Sequence, residues 1–360
     1  MKRYNKYYVM GFLLLILGCR ERFEGFDLEV HNEKLVIEAI MTDHQDFGYV
    51  RISYTEPVSR EGIRDFVGED NATVLLTNDQ GSETVLYATG NGLYSNANFK
   101  PQFGTKYQMT VRVGENEYQS AWEQLPLAAS QPSSIEYRPD TIETINETGD
   151  LTQLTVTFSD ELAKRNVDTY YYWQLNHFYI FEAYGQPAVA MEYPETERFC
   201  YVQEPDQVEL AIHADLAVEG SADSNYRVDI SKIPFGNKFV YDYSLQVIKY
   251  NVSKEIYEYL EQVKNQITNS GSVFDAAPAS ISGNFNQVSG DLPVLGFFGV
   301  FNATANRVFV NQDELPFRNL TISEDYDCPG HHSTILDNSC WNCLAFASEF
   351  NTAEKPLWWR

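Results

Sequence analysis

Tyr107-Gln108-Met109-Thr110-Val111-Arg112-Val113, followed by Gly114-Glu115-Asn116-Glu117 and then Tyr118-Gln119-Ser120-Ala121-Trp122, is the stretch whose reading decides the fold. Apolar and polar residues alternate on both sides of a Gly/Asn-containing turn. A period of two puts one set of side chains in a core and the other in water, so this is a β-hairpin. The same pattern recurs upstream at residues 35–40, 49–54, 72–77, 83–87 and 92–95, with Asn78-Asp79-Gln80-Gly81 turning the third into the fourth. Residues 35–40 and 49–54 are expected to pair. About seven short strands with no helical spacing between them predict an antiparallel sandwich. The N-terminal unit is therefore read as a β-sandwich-like (Ig-like) domain over residues 34–124.

Downstream, Leu125-Pro126-Leu127-Ala128-Ala129-Ser130-Gln131-Pro132 reads as a linker, because proline removes a backbone donor and favours extended chain. A second β-rich domain is predicted over 133–320. Its strands are expected at 154–160, at the aromatic run 170–180, at 239–250 and at 307–310, with 281–285 and 295–301 forming a hairpin. One helix is predicted over 254–267. Ser253 is its N-cap, and Ile256, Tyr259, Leu260, Val263 and Ile267 recur at steps of three and four to make an apolar stripe for core packing. The tail, 321–360, carries few strand or helix signals and is expected to pack on the second domain. The fold class is thus mostly β: two sandwich-like domains in tandem, one amphipathic helix in the second, and a disulfide-stapled tail.

The chain begins with Met1-Lys2-Arg3-Tyr4-Asn5-Lys6, an apolar run over 7–17, and Gly18-Cys19. The run is far short of the ~20 residues a spanning helix needs, and the basic start and small residue mark a secretory leader. Ile16-Leu17-Gly18-Cys19 resembles a lipobox. The expectation is a lipoprotein signal over 1–18, acylation at Cys19, and a polar tether over 19–33. Several acyl chains hold a protein to a membrane durably, where one does not.

The formal charge of the 360-residue chain is -25, and loss of Lys2, Arg3 and Lys6 makes the mature chain three charges more acidic. Nucleic acid is excluded as a partner, since its phosphates demand a basic face. The acidic surface is read as a solubility device. An outer-membrane barrel is not expected, because the regular series of ~10-residue alternating strands it requires is missing.

Cysteine use follows from export. Setting Cys19 aside leaves Cys200, Cys328, Cys340 and Cys343. Disulfides persist outside the cytosol, and four cysteines allow three connectivities that the sequence leaves open. Cys340-Trp341-Asn342-Cys343 can close a small ring, or Cys200 can staple the second domain to the tail. The preferred reading is at least one long-range bridge holding the tail. The alternative is zinc on Cys328, His331, Cys340 and Cys343, with His332 adjacent, since tetrahedral zinc takes this mix of ligands. An oxidising compartment favours disulfides, so no metal and no cofactor are expected.

No Gly-x-Ser-x-Gly elbow, His-Glu-x-x-His pair, phosphate loop or dinucleotide fingerprint occurs. Of the six histidines, His177 sits in the aromatic strand and reads as a packed or hydrogen-bonded side chain. Asp43, His44 and Asp46 share a loop that lacks the Asp-x-Asp-x-Asp-Gly pattern of a calcium site. Trp358-Trp359 is either a sugar-stacking surface, an apolar plug for a partner, or a cover for an edge of the second domain. No catalytic residue is assigned.

The lipobox, Lys34-Leu35-Val36-Ile37-Glu38-Ala39 and Tyr49-Val50-Arg51-Ile52-Ser53 resemble the start of a Bacteroidota lipoprotein family known as domain of unknown function 4249. Residues 271–284 (GSVFDAAPASISGN), Val294-Leu295-Gly296-Phe297-Phe298, and late cysteines ahead of a Lys355-Pro356-x-Trp358 tail look similar too. The resemblance extends over nearly the whole mature chain and departs at the acidic segment around 141–150. It carries no catalytic residue, because the family has no assigned activity. It implies an outer-membrane lipoprotein, facing the periplasm or the cell surface, that is accessory to a TonB-dependent transporter in nutrient capture or assembly. The alternatives are a surface glycan- or peptide-binding lipoprotein, with its ligand unknown, and an extracytoplasmic hydrolase using a carboxylate pair.

Overall fold

Alternation of Val, Ile, Thr and aromatic residues produces strands in nearly every segment where it occurs. The computed structural model describes residues 34–44, 47–55, 67–126, 134–146, 149–183, 197–205, 210–217, 224–268, 281–315, 342–345 and 350–359. Within them lie β1 (Leu35–Thr42), β2 (Tyr49–Tyr54), β3 (Val67–Gly68), β4 (Thr73–Asn78), β5 (Glu83–Gly90), β6 (Leu93–Ser95), β7 (Lys106–Val113), β8 (Asn116–Ser120) and β9 (Glu123–Gln124). They continue with β10 (Ile135–Asn146), β11 (Gly149–Ala163), β12 (Thr169–Glu182), β13 (Phe199–Pro205), β14 (Ala211–Asp215) and β15 (Asn225–Pro234). The last are β16 (Tyr243–Val252), β17 (Phe285–Ser289), β18 (Val294–Val310) and β19 (Phe350–Thr352). The α-helix, α1, spans Lys254–Thr268.

The first core forms where one run of strands folds back over another. β5 pairs with β4 on one side and with β6 on the other, and its register shifts between Ala88 and Gly90 where the chain turns the corner. Ile37 and Ala39 of β1, Val50 and Ile52 of β2, and Phe298 and Val300 of β18 then face Val74, Leu76, Met109, Val111 and Tyr118 of β4, β7 and β8. The second core lies between the β10-β11-β15 sheet and the β12-β16-β18 sheet. Val156 and Phe158 come from the former, and Trp173, Leu175, Tyr243, Leu245 and Val247 from the latter.

The opposite face of β12 and β16 is covered by α1. Ile256 and Leu260 pack with Tyr250, Val252, Ile40, Phe297 and Phe301, and the Tyr259 ring lies tilted 5.3 Å from that of Phe297. The helix starts as its sequence predicts, with Ser253 Oγ accepting from the Ile256 amide. Its apolar stripe is buried in the first turns and runs out to solvent at Ile267. The aromatic strand 170–180 is therefore buried on both faces: Tyr171 and Trp173 toward the second core, Tyr170 and Tyr172 toward the helix.

Two expectations change in the structure. Residues 281–285 and 295–301 do not pair as a hairpin. β17 instead adds antiparallel to β8, Phe285 opposite Ser120, and the first half of β18 runs parallel to β1, Leu35 opposite Val294 through Thr42 opposite Phe301. The physical reason is burial: Phe285, Phe298 and Val300 have their apolar partners in the first core, although the sequence order places them in the second unit. The strand expected at 307–310 is the far end of the same β18, which there pairs antiparallel with β16.

The parallel seam needs close backbone approach. Gly296 has φ of +105°, and a Cβ there would sit 2.0 Å from the Ile37 carbonyl oxygen. Gly296→Ala combines a left-handed backbone with a backbone clash. We expect it to lower the unfolding free energy by roughly 2–4 kcal/mol in urea titration. Gly236→Ala, where a Cβ meets open space, should stay within about 0.5 kcal/mol of the parent.

Candidate functional site

β18 presents Arg307 and Phe309 on the face opposite the second core, beside Phe178 of β12 and Tyr201 of β13. The tail lies across this face. β19 pairs with β13, Tyr201 opposite Thr352, and the chain then turns, Trp359 N donating to Pro356 O. Trp359 is buried, its ring 5.1 Å from Tyr201 and 6.3 Å from Phe309. Trp358 meets Phe178 edge-on at 4.8 Å and keeps 40 % of its surface exposed.

Arg307 sits between these rings. Its guanidinium carbon is 4.3 Å from the Phe178 centroid and 3.7 Å from the Trp358 centroid. Each such contact contributes about 0.5–2 kcal/mol. Nη1 is 3.4 Å from Ser244 Oγ. Burial lowers the Arg307 pKa to about 10, so the side chain remains a cation at neutral pH. Among the described residues no carboxylate comes within ion-pair distance of it. Gln246 stands opposite Arg307 in the β16–β18 register, and its Oε1 accepts from Asn176 Nδ2 at 3.4 Å. The site is a cation packed against two mutually edge-on rings with amide groups alongside.

The tail is fixed covalently. Cys200 and Cys343, both fully buried, form a disulfide with 5.5 Å between their Cα atoms. The bridge selects the long-range pairing of Cys200 with the tail. Cys343 is thereby unavailable both to a ring with Cys340 and to a zinc set with Cys328, His331 and Cys340 while this bond exists. Cys19, Cys328, Cys340, His331 and His332 lie outside the described residues. Asn351 Nδ2 donates to Cys343 O at 2.6 Å, and the Cys343 amide donates to Glu197 O. The bridge closes a loop across 143 positions. Cys343→Ser should cost about 2–5 kcal/mol in chemical denaturation under non-reducing conditions, and should make the tail the first segment cut in limited proteolysis.

The remaining flagged residues are placed in structural roles. His177 is buried, with Nδ1 2.6 Å from Tyr243 Oη. His44 stacks on Phe47 at 4.4 Å, and Asp43 Oδ1 accepts from the Ala303 amide. Asp46 lies outside the described residues. A groove of about 390 Å³ opens at one end of the first sandwich, lined in part by Thr84, Asn98, Phe99, Lys100 and Tyr107. Several of its polar atoms already close loops: Asn78 Oδ1 accepts from Gln80 and Ser82 amides, and Tyr107 Oη accepts from the Gln102 amide. Among the described residues no group of three or more His, Cys, Asp or Glu side chains is arranged to hold a metal.

Glu123 is a titrating group that the sequence did not single out. It is buried beside Asn284, whose Nδ2 lies 3.3 Å from Oε1. Burial, then the nearby Glu255 carboxylate, raise its pKa to about 7, while hydrogen bonds from Asn284 and Ser253 act in the opposite direction. A carboxyl whose folded pKa is raised binds its proton more tightly in the folded state. Its effect is to make stability fall as pH rises from the unfolded value near 4.5 through about 7. Glu123→Gln should therefore raise the melting temperature at pH 8 and change it little at pH 4.5. Melting followed by circular dichroism across that range is the measurement. A pH-independent effect would contradict the assignment.

Residues 24–307 match a family model described as a domain of unknown function (DUF4249). The matched span ends at Arg307, so the Lys355-Pro356-x-Trp358 tail falls outside it. No curated protein matches the chain.

Proposed function

The chain belongs to the family of domain of unknown function DUF4249, and from that premise we propose that it is a lipid-anchored, non-catalytic accessory protein of the outer membrane, of the Bacteroidota lipoprotein type, that partners a TonB-dependent transporter in nutrient capture or assembly. The observation that carries this reading is Ile16-Leu17-Gly18-Cys19 behind a basic start and a short apolar run. Two further features support it. The net charge of -25 sets the protein body against anionic lipid, which leaves acyl chains on Cys19 as the membrane link. β18 belongs to both sandwich cores, so a tether at one end would hold the two cores as a unit.

A second reading, a surface glycan- or peptide-binding lipoprotein, is favoured by one specific observation: a half-exposed Trp358 stacked on an Arg307 that has no carboxylate partner among the described residues.

Expression of the full chain and of Cys19→Ala in a host with lipoprotein processing tests the proposal. Mass spectrometry of the wild-type protein should find an acylated Cys19 at the amino terminus, and the protein should enter the outer-membrane detergent fraction. The variant should lose both properties. Cross-linking before solubilisation should recover a transporter with the wild-type protein only. An unprocessed, unmodified amino terminus would overturn the anchoring, and a processed lipoprotein with no transporter in repeated cross-linking would overturn the partner.

A further inference from the structure

We propose that Arg307, packed against Phe178 and Trp358, anchors a binding site for a carboxylated sugar, with Gln246 reading the hydroxyls beside the carboxylate. The site stands on the geometry of the second unit alone and is independent of membrane anchoring.

Phe178 and Trp358 pack on the guanidinium at 4.3 Å and 3.7 Å, and with their own centroids 4.8 Å apart at 75° they meet it from adjacent directions. What remains is the side of the group turned away from the two rings, with its N–H donors. A planar oxyanion meets such donors with two parallel hydrogen bonds, and a carboxylate has that shape. Among the described residues the guanidinium makes one long hydrogen bond, 3.4 Å to Ser244 Oγ, which leaves most of its five donors for another acceptor.

Several other arginines of the chain are paired with carboxylates. Arg112, Arg138, Arg198 and Arg227 lie 2.7, 2.9, 2.5 and 2.7 Å from a carboxylate oxygen. The chain carries 51 acidic residues against 26 basic ones, so carboxylates are not scarce. Arg307 is nevertheless half-buried against apolar rings with none in contact among the described residues. Burial is the one cause that moves its pKa, in keeping with a cation that lacks an anionic neighbour. A bound carboxylate would offset that desolvation.

The surroundings favour a sugar over a bare anion. Gln246 stands cross-strand from Arg307 and is partly exposed. Buried Asn176 donates to its Oε1, so its Nε2 donors are the part of the amide not engaged by that bond. Trp358 adds exposed ring surface of the kind that packs against the C–H face of a pyranose. Among the described residues no second charged side chain is bonded to this group, so nothing described there addresses a zwitterion or a second phosphate charge.

The test uses the full mature chain in detergent, titrated with sodium galacturonate and a galacturonate tetrasaccharide by calorimetry and tryptophan fluorescence. Galactose, acetate and inorganic phosphate serve as matched probes. We expect saturable binding of the uronates, at least ten-fold weaker binding of galactose, and weaker binding of acetate and phosphate than of galacturonate. Arg307→Gln should weaken uronate binding at least ten-fold. Because that change also disturbs the stack, Gln246→Ala provides an independent arm on the body of the sheet. It should weaken galacturonate binding several-fold with acetate binding unchanged and with the melting temperature near the parent's. No saturable uronate binding, or uronate binding unaltered in Arg307→Gln, would overturn the site. Acetate or phosphate binding as tight as galacturonate would overturn the sugar assignment.

Discussion

The register of β18 is the constraint on which the rest of the molecule depends. Its even positions, Phe298 and Val300 and then Val308 and Val310, face the first and the second core in turn. Its odd positions, Phe297, Phe301 and Ala303, lie under α1, and Arg307 and Phe309 lie under the tail. Because side chains alternate with period two, a slip by one residue would exchange the two sets along all of β18. Two different pairings oppose that slip. β1 pins the first half in parallel and β16 pins the second half antiparallel. Gly296 permits the parallel seam to close, since any side chain there would meet the Ile37 backbone.

This constraint also explains which parts of the fold were legible in the sequence. Local features were: the hairpins at 72–87 and 107–122, the pairing of β1 with β2, and α1 with its Ser253 cap all follow from residues close together in the chain. The parallel β1–β18 seam joins Leu35 to Val294, and nothing in either segment names the other as its partner. An apolar run such as Val294–Phe301 carries the information that it is buried, but not against what. Its Gly-rich, aromatic composition was read as half of a hairpin because a hairpin is the nearest partner available. At the candidate site the limit was of the same kind. Trp358-Trp359 is conspicuous by type, whereas Arg307 looks like any basic residue in a strand until the tail is folded over it. Glu123 was hidden by number, being one carboxylate among many, and only burial beside Asn284 distinguishes it.

The second core contains a contrasting treatment of charge. Asp160 and Lys249 are both essentially buried, 3.3 Å apart. Asp160 also accepts from Trp173 Nε1 at 2.9 Å and from the Ser134 amide at 3.0 Å. Desolvation lowers the Lys249 pKa and the Asp160 carboxylate acts against that shift. A buried pair of this kind adds little net stability, yet removing either partner strands the other charge at a cost of about 3–5 kcal/mol. Its effect is to fix how β11, β12 and β16 meet, since Asp160 on β11 must reach both Trp173 on β12 and Lys249 on β16. Buried charge here is compensated within the fold.

Arg307 does not follow that pattern, and the reason lies in how the tail reaches it. Phe178 and Arg307 lie on strands of the body of the sheet, whereas Trp358 lies beyond β19, which pairs with three residues of β13. A strand that short cannot hold a segment by its ladder alone, so the Cys200–Cys343 bond does most to keep β19 and the Trp pair in place. The disulfide thus has a consequence beyond stability. By restricting the tail it holds one face of the guanidinium covered, removes rotamer freedom from a long side chain, and leaves its donor edge aimed in a fixed direction. Preorganisation of that sort costs conformational freedom during folding and, among the described residues, gives no ion pair in return. A surface arginine needed only for solubility would gain nothing from being packed against two rings. An arginine that must present its edge to an incoming planar anion gains from each of these restraints.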